Sequence, residues 1–278
     1  MAWYERVLSV DRRLIYAAMG VAVIIPAIFT MHIPVTLSSE VRAVHEFTEE
    51  VKDGDILFLA IDFDPSTMAE LLPMAEAVMR QVFENDGRLL MSSLSQFGPP
   101  MANELITRLA REYGKESGVD FVYLGYKPYP AITILAMGTD FRVPFPLDFY
   151  NQPTDELPMM AGVHNFDDVE GVIALCGGNA ADMWITYVNA KYGMPVALGV
   201  TGVMAADYYQ YLQSGQLFGL LPGIKGAAEY EQLTNTTGGE GLRGIPYQTT
   251  THFVVLFFII LTNIAFFAQR SARARMRA

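Results

Sequence analysis

The sequence predicts an α/β fold: a Rossmann-like, mostly parallel sheet flanked by helices and inserted between two transmembrane helices. Three observations predict it. Long apolar runs lie near both ends of the 278-residue chain, strand-length runs alternate with helical segments between them, and those strand-length runs are apolar throughout. A strand that is apolar at every position is typical of a parallel sheet covered by helices on both faces.

Each terminal run is long enough to cross a bilayer. The runs cover residues 14–37 and 252–268, and neither contains Asp, Glu, Lys or Arg. A transmembrane helix needs roughly 20 apolar residues, with about 17 as the lower limit. A cleaved signal peptide is the alternative for the first run, but the run exceeds the usual stretch of about 7–15 residues and no A-x-A-like site follows it. We therefore expect a membrane anchor at each end.

The short terminal tails, residues 1–13 and 269–278, are rich in arginine. Basic residues beside a span tend to stay in the cytoplasm. The expected topology is two-pass in the cytoplasmic (inner) membrane, with both tails cytoplasmic and residues 38–251 forming one extracytoplasmic domain; the reverse topology stays open. The arginines of the tails are Arg6, Arg12, Arg13, Arg270, Arg273, Arg275 and Arg277.

The central segment is strongly acidic. Once the charges of the two tails are removed from the totals of 19 Lys and Arg and 30 Asp and Glu, residues 38–251 carry a net charge of −16. Such a surface repels the phosphate backbone, so we expect no nucleic-acid partner. The single cysteine, Cys176, has no partner for an internal disulfide, and its apolar surroundings predict a buried side chain.

Hydrophobic periodicity places the elements of the central segment. Strands are predicted at residues 55–62, 88–95, 121–127, 172–177 and 195–201, and helices at 65–83, 99–113, 180–192 and 203–213. Asp64 followed by Pro65 predicts a helix cap, and Asn179 with Asp182 resembles a capping box.

Two further segments are less regular. Residues 216–233 predict a terminal helix packed on the sheet, or a helix resting on the membrane through its apolar half. Residues 131–167 hold four prolines and predict a long insertion or lid over the sheet. Three aromatic side chains of this insertion are expected to be exposed, namely Phe145, Phe149 and Tyr150.

Ligands of an open parallel sheet bind outside the carboxyl ends of the strands, where the strand order reverses. Asp62 and Asp64 could both face a metal ion or a substrate hydroxyl, although two ligands do not make a metal site. The segment CGGNAADMW at 176–184 could hold an anion at a helix start, or could be a glycine turn with a capping asparagine. The candidate ligand-binding residues are Asp62, Asp64, Ser95, Lys127, Gly178, Asn179 and Thr201.

Familiar catalytic and cofactor motifs are not found in the sequence. It contains no G-x-S-x-G, H-E-x-x-H or C-x-x-C, and the 176–184 segment lacks dinucleotide and P-loop spacing. His164 is the one histidine that could reach the sheet edge, and an exposed loop position is the simpler interpretation. We therefore assign no catalytic residue, metal or cofactor, and the balance is against an enzyme.

Asn263, near the middle of the second apolar run, is predicted to take part in membrane helix association. Together these features predict a doubly anchored accessory or scaffold protein. Its acidic domain would mediate assembly, as a homo-oligomer or with other membrane subunits, or would bind a small molecule. The alternatives are an extracytoplasmic hydrolase or transferase using strand-end carboxylates, and a sensor of a small polar ligand.

Overall fold

The computed structural model describes residues 2–29, 31, 33–236 and 238–277. The backbone divides into two compact units. One unit combines the two ends of the chain, Met1–Pro34 and Arg243–Ala278, and the other is Val35–Leu242.

A six-stranded sheet forms the centre of the Val35–Leu242 unit. Its order is β3-β2-β1-β4-β5-β6, and every neighbouring pair is parallel. This is the order of a doubly wound α/β sheet, in which the direction of winding reverses between β1 and β4. The predicted parallel sheet is thus confirmed. The strands are β1 (Ile56–Asp62), β2 (Arg88–Ser93), β3 (Phe121–Tyr126), β4 (Gly171–Cys176), β5 (Val196–Val200) and β6 (Gly219–Pro222).

Helices connect the strands and extend both ends of the chain. A π-helix, Trp184–Asn189, lies between α7 and α8. The α-helices are α1 (Trp3–Leu8), α2 (Arg12–Ile28), α3 (Ser39–Glu50), α4 (Met68–Glu84), α5 (Gly98–Tyr113), α6 (Pro130–Met137), α7 (Ala180–Met183), α8 (Ala190–Tyr192), α9 (Gly202–Gln213), α10 (Gly223–Leu233) and α11 (Glu240–Arg277).

Both faces of the sheet are buried, which explains why its strands are apolar at successive positions. Leu57 and Leu59 of β1 enter the core beneath α3, α4, α5 and α10. Phe58 and Ala60 enter the opposite core, which α6, the π-helix and α9 help to cover. Because successive side chains point to opposite faces, a strand covered on both sides needs an apolar residue at each position.

The segment 216–233 contains a sixth strand that the sequence pattern did not reveal. Its first half forms β6 and its second half forms α10. Leu217, Leu220, Leu221 and Ile224 are buried in the unit, so the alternative in which they rest on a membrane is wrong. A four-residue strand that contains proline and no β-branched residue carries too little periodicity to be separated from the helix that follows it.

The insertion at 131–167 supplies part of the core. Phe145 is 1% exposed, so the expectation of an exposed side chain is wrong there, whereas Tyr150 is exposed as expected. Phe149 is half-buried and lies 5.0 Å from the Tyr123 ring. The insertion consists of α6, irregular chain and three short 3-10 helices, at Thr154–Glu156, Pro158–Met160 and Phe166–Asp168.

The predicted caps form differently from expectation. Asp64 accepts hydrogen bonds from the backbone and hydroxyl of Ser66 in a turn, and α4 begins only at Met68. Asn179 precedes α7 but makes no capping hydrogen bond through its side chain. Its backbone is already in the right-handed helical region, whereas a capping side chain normally extends from a β-region residue.

Two carboxylates of α10 hold the ends of this unit. Glu229 accepts hydrogen bonds from the backbone and hydroxyl of Ser38, each 2.6 Å long, and it also pairs with Lys225. Glu231 accepts hydrogen bonds from Gly241 N at 2.9 Å and Leu242 N at 2.7 Å. The latter two amides belong to the first turn of α11, so Glu231 caps that helix from a neighbouring element.

The terminal unit contains α2 and α11. Within Glu240–Ala274, α11 is long and apolar enough to span a membrane, and its most apolar stretch of 18 residues has a mean hydropathy of 2.2. The helix α2, with 17 residues from Arg12 to Ile28, takes in residues 14–28 of the first apolar run, while Thr30 and His32 lie outside the described residues. A second span at α2 therefore stays a prediction.

Candidate functional site

A cleft opens at the carboxyl ends of β1, β2 and β4. It has a volume of about 210 Å³ and lies where the strand order reverses. This is the position at which doubly wound sheets bind ligands. Of the residues predicted from the sequence, those that line the cleft are Asp62, Asp64, Ser95, Gly178 and Asn179.

Asp62, the last residue of β1, is the most deeply placed acid of the cleft. Its side chain is buried, with 5% of the residue exposed. Leu94 N donates to Oδ1 at 2.5 Å and Trp184 Nε1 donates to Oδ2 at 2.6 Å. Burial raises the pKa of this carboxyl to about 7, although the two hydrogen bonds pull it downward. Asp62 therefore changes charge near neutral pH.

The Trp184 indole reaches Asp62 because of the local helix geometry after β4. Trp184 is the first residue of the π-helix, is fully buried and packs 5.6 Å from the ring of Phe58. Single π-helical turns are often found at functional sites. In the 176–184 segment, the glycines and the asparagine could be singled out from the sequence, but this tryptophan was not. A buried indole requires an acceptor for its N–H, and that requirement was the available signal.

Asp64 behaves differently from Asp62. It is half-buried, and its Oδ1 accepts hydrogen bonds from Ser66 N at 2.8 Å and Ser66 Oγ at 2.6 Å. Hydrogen bonding from Ser66 lowers the pKa of Asp64, so this carboxylate stays ionised near neutral pH. The two carboxylates therefore have opposite pKa shifts.

Three further residues that the sequence offered as candidates for this site do not line the cleft. Lys127, just beyond β3, places its Nζ 5.7 Å from the ring centroid of Phe145. Thr201 follows β5, one strand further along the sheet, and is 8% exposed. His164 lies in the insertion, where its Nδ1 is 3.3 Å from Asp140 Oδ2. The cleft thus has no histidine among its described lining residues.

The glycines of the strand-to-helix connections allow close approach beneath the cleft. A Cβ on Gly177 would lie 2.4 Å from Thr67 Oγ1, and one on Gly98 would lie 2.1 Å from Ser93 Oγ. Both distances are far below van der Waals contact. A side chain at either position would therefore push the β4 or β2 connection away from its neighbour.

Large apolar side chains are exposed near the carboxyl ends of four strands. They lie at the end of β3 or in the loops and first helical turns that follow β1, β2, β3 and β5, and the exposed fraction reaches 90% at Val203. Tyr129 has a left-handed backbone, with φ of 60°, which is strained for a residue other than glycine. We call this set the apolar rim, and it consists of Met68, Phe97, Tyr126, Tyr129, Ile132 and Val203.

Metal ligation has no support in the described part of the chain, residues 2–29, 31, 33–236 and 238–277. No group of three or more His, Cys, Asp or Glu side chains there is arranged to hold a metal ion.

Comparisons with protein-family models, with curated proteins and with solved structures found no match to this chain. The functional proposal therefore rests on the cleft and the rim around it.

Proposed function

We propose that this chain is a doubly membrane-anchored accessory protein whose α/β domain docks another protein through its apolar rim. The observation that supports docking is the set of six exposed apolar side chains near the carboxyl edge of the sheet. Single apolar residues are common on protein surfaces, whereas several along one edge of a sheet are typical of an interaction site. Exposure of Phe97, Tyr129 and Val203 costs solvation free energy that a docked partner would recover.

The dimensions of the rim suit a protein partner. Four strand intervals separate β3 from β5, and at roughly 4.8 Å per interval the rim extends for about 19 Å. That length is comparable to the apolar centre of a protein interface that buries about 800 Å² on each side. A single small molecule would not cover it.

The charge of the domain favours a different protein over a second copy. Residues 38–251 carry a net charge of −16, so two copies meeting face to face would repel one another. A membrane subunit with a neutral or basic surface would meet no such repulsion. We therefore favour a hetero-complex over a homo-oligomer.

Contacts within the terminal unit support an anchor with two spans. Pro26 has no N–H to donate to the Ala22 carbonyl four residues earlier. Thr250 Oγ1 of α11 lies 2.8 Å from that carbonyl, and it lies equally close to Pro246 O in its own helix. A carbonyl left unpaired in a bilayer is costly, and a hydroxyl from a neighbouring helix removes the cost. The arginines of the tails favour a cytoplasmic location for both termini.

The alternative, a hydrolase or transferase with paired strand-end carboxylates, has weaker support. Asp62 has the raised pKa expected of a catalytic acid. Its prospective partner Asp64 is engaged by Ser66, however, and no histidine lines the described part of the cleft. The geometry therefore favours docking.

Site-specific photo-crosslinking in native membranes tests the docking proposal. A photoreactive amino acid is placed at Phe97 or Val203 on the rim, and at Val119 as control. Val119 is also exposed, at 41%, but it lies at the opposite edge of the sheet, just before β3. We expect a discrete adduct of one mass from the two rim positions and none from Val119. Equal labelling at all three positions, or none at any, would overturn the proposal.

A further inference from the structure

We infer that the cleft between β1 and β4 binds an organic cation, an ammonium or guanidinium group, with Asp62 as its counter-ion. The cation would belong either to a small amine or to a basic side chain of a docked protein. The inference goes beyond the docking proposal, because a free amine could bind here without any protein partner.

The first support is the charge of the lining. The cleft presents the carboxyl groups of Asp62 and Asp64, together with the neutral polar groups of Ser95 and Asn179. None of its described lining residues is Lys or Arg. Lys127, at the end of the neighbouring strand β3, is turned toward the Phe145 ring. An anion would therefore meet carboxylates without a compensating positive charge, whereas a cation would be attracted.

The second support is the incomplete pairing of Asp62. Its three described hydrogen-bond donors are all neutral. Leu94 N donates to Oδ1, whereas Trp184 Nε1 and, at 4.0 Å, the Cys176 thiol both donate to Oδ2. A carboxylate can accept about four hydrogen bonds, two on each oxygen, so Oδ1 retains capacity for a ligand. A buried carboxylate without a positive partner is unfavourable. A bound ammonium or guanidinium group would supply that partner.

The third support is size. At about 210 Å³ the cleft is smaller than the roughly 300–1,000 Å³ typical of pockets for complete drug-sized ligands. It suits a single head group. The remainder of a larger ligand would extend over the rim, where Phe97 follows the lining residue Ser95 by two positions and Tyr129 precedes Pro130. Aromatic rings at such an entrance favour alkyl chains and cations.

Calorimetric titration of the full-length protein in nanodiscs tests the inference. The probes are n-butylammonium, 1-butanol and butyrate, which share a chain length and differ in charge. At pH 8 we expect n-butylammonium to bind at least tenfold more tightly than the other two. Asp62→Asn should weaken its binding at least tenfold. Asp53→Asn, an exposed change at the amino end of β1, should leave it unaltered.

A pH series on the unmodified protein provides a readout that does not depend on the folding of a variant. Because the pKa of Asp62 is about 7, a proton competes with the cation below neutrality. Binding of n-butylammonium should be about tenfold weaker at pH 6 than at pH 8. The inference is overturned if 1-butanol or butyrate binds as tightly, if no probe binds, or if the affinity is independent of pH.

A further titration, with a peptide as the probe, distinguishes the two sources of the cation. Acetyl-Leu-Lys-Leu-amide presents the same ammonium group between apolar side chains. If it binds more tightly than n-butylammonium and Phe97→Ser removes the advantage, the cation belongs to a protein. If the two probes bind alike and Phe97→Ser changes neither, the cation belongs to a small amine. Cation binding without crosslinks at the rim would overturn the docking proposal alone, and crosslinks without cation binding would overturn this inference alone.

Discussion

At the scale of single residues, Asp62 is the buried acid of the cleft whose ionisation is costly. Its carboxyl group is buried and touches neutral donors, so the charged form is poorly solvated. Leu94 N and Trp184 Nε1 recover part of the lost hydration. The arrangement holds an acid close to its titration point in a cleft, which is characteristic of functional sites.

The raised pKa of Asp62 predicts that the domain loses stability as the pH rises. The folded state holds this proton up to about pH 7, whereas the ordinary aspartate pKa is 3.8. The stabilisation is thus complete below pH 3.8 and is lost as the pH rises through 7. We expect Asp62 to lower the free energy of unfolding by roughly 2 to 3 kcal/mol between pH 5 and pH 8. Denaturant titrations should show this dependence reduced in Asp62→Asn; an unchanged dependence would contradict the assignment.

The substitution Trp184→Phe should lower the free energy of unfolding by an amount that depends on pH. The change removes the indole N–H that donates to Asp62 Oδ2 and keeps an aromatic ring in the core. Loss of a hydrogen bond to a buried charged group costs about 1–3 kcal/mol. The free energy of unfolding should therefore fall more at pH 8, where the carboxyl is ionised, than at pH 5. An equal loss at the two pH values would indicate a packing defect only.

Several residues of the cleft could be predicted from the sequence because one rule locates them. Asp62 ends β1, and Ser95 and Asn179 come shortly after β2 and β4; the carboxyl ends of parallel strands share an edge. Trp184 and Leu94 could not be found in this way. Their contacts with Asp62 depend on a π-helix and on the loop after β2, which hydrophobic periodicity does not specify.

At the scale of elements, α10 holds both ends of the domain through Glu229 and Glu231. The two residues bond respectively to Ser38 before α3 and to the first turn of α11. Burial raises the pKa of Glu231, while the backbone donors of Gly241 and Leu242 lower it. One helix thus fixes where the chain enters and leaves the domain.

Glu231→Ala should loosen the start of α11. The change leaves the Gly241 and Leu242 amides without their carboxylate acceptor, and loss of a helix cap costs about 0.5–2 kcal/mol. Hydrogen exchange of these amides should accelerate by about tenfold, which corresponds to ~1.4 kcal/mol. Glu240→Gln, an exposed change in the same turn, is the control. Equal exchange in the two variants would contradict the capping role.

Thr250→Val should weaken the association of α2 with α11. Valine keeps the shape of threonine and removes the hydroxyl that lies 2.8 Å from Ala22 O. Hydrogen bonds between membrane helices contribute about 0.6 to 2 kcal/mol. Thr251→Val is the matched control, because the Thr251 hydroxyl bonds within its own helix. Resistance of the helix pair to unfolding in SDS should fall for Thr250→Val alone; parallel losses would contradict the pairing.

Asn263 remains a predicted contact of the second span. Its Nδ2 donates to Ile259 O within α11, and the side chain is exposed.

The length and period of the long elements could be predicted from the sequence, as β1 and α5 illustrate. The short strand β6 could not, since four residues with a proline and no β-branched side chain carry too little periodicity.

At the scale of the whole molecule, the proposed membrane anchors would help the domain to dock its partner. If both ends of the chain are held in the membrane, as proposed, the domain meets its partners among membrane proteins, and tethering raises its effective concentration. The apolar rim would supply the contact area, while the acidic cleft within it would select for positive charge. The strand order that unites rim and cleft follows from tertiary pairing and is not encoded in any local pattern.

Native mass spectrometry of the full-length protein in mild detergent tests the central claim most directly. We expect a hetero-complex with one other subunit that dissociates in the double variant Phe97→Ser and Val203→Ser. The complex should persist in Val119→Ser, which removes an exposed apolar side chain from the opposite edge. A lone chain, or a complex that the rim substitutions leave intact, would contradict the account.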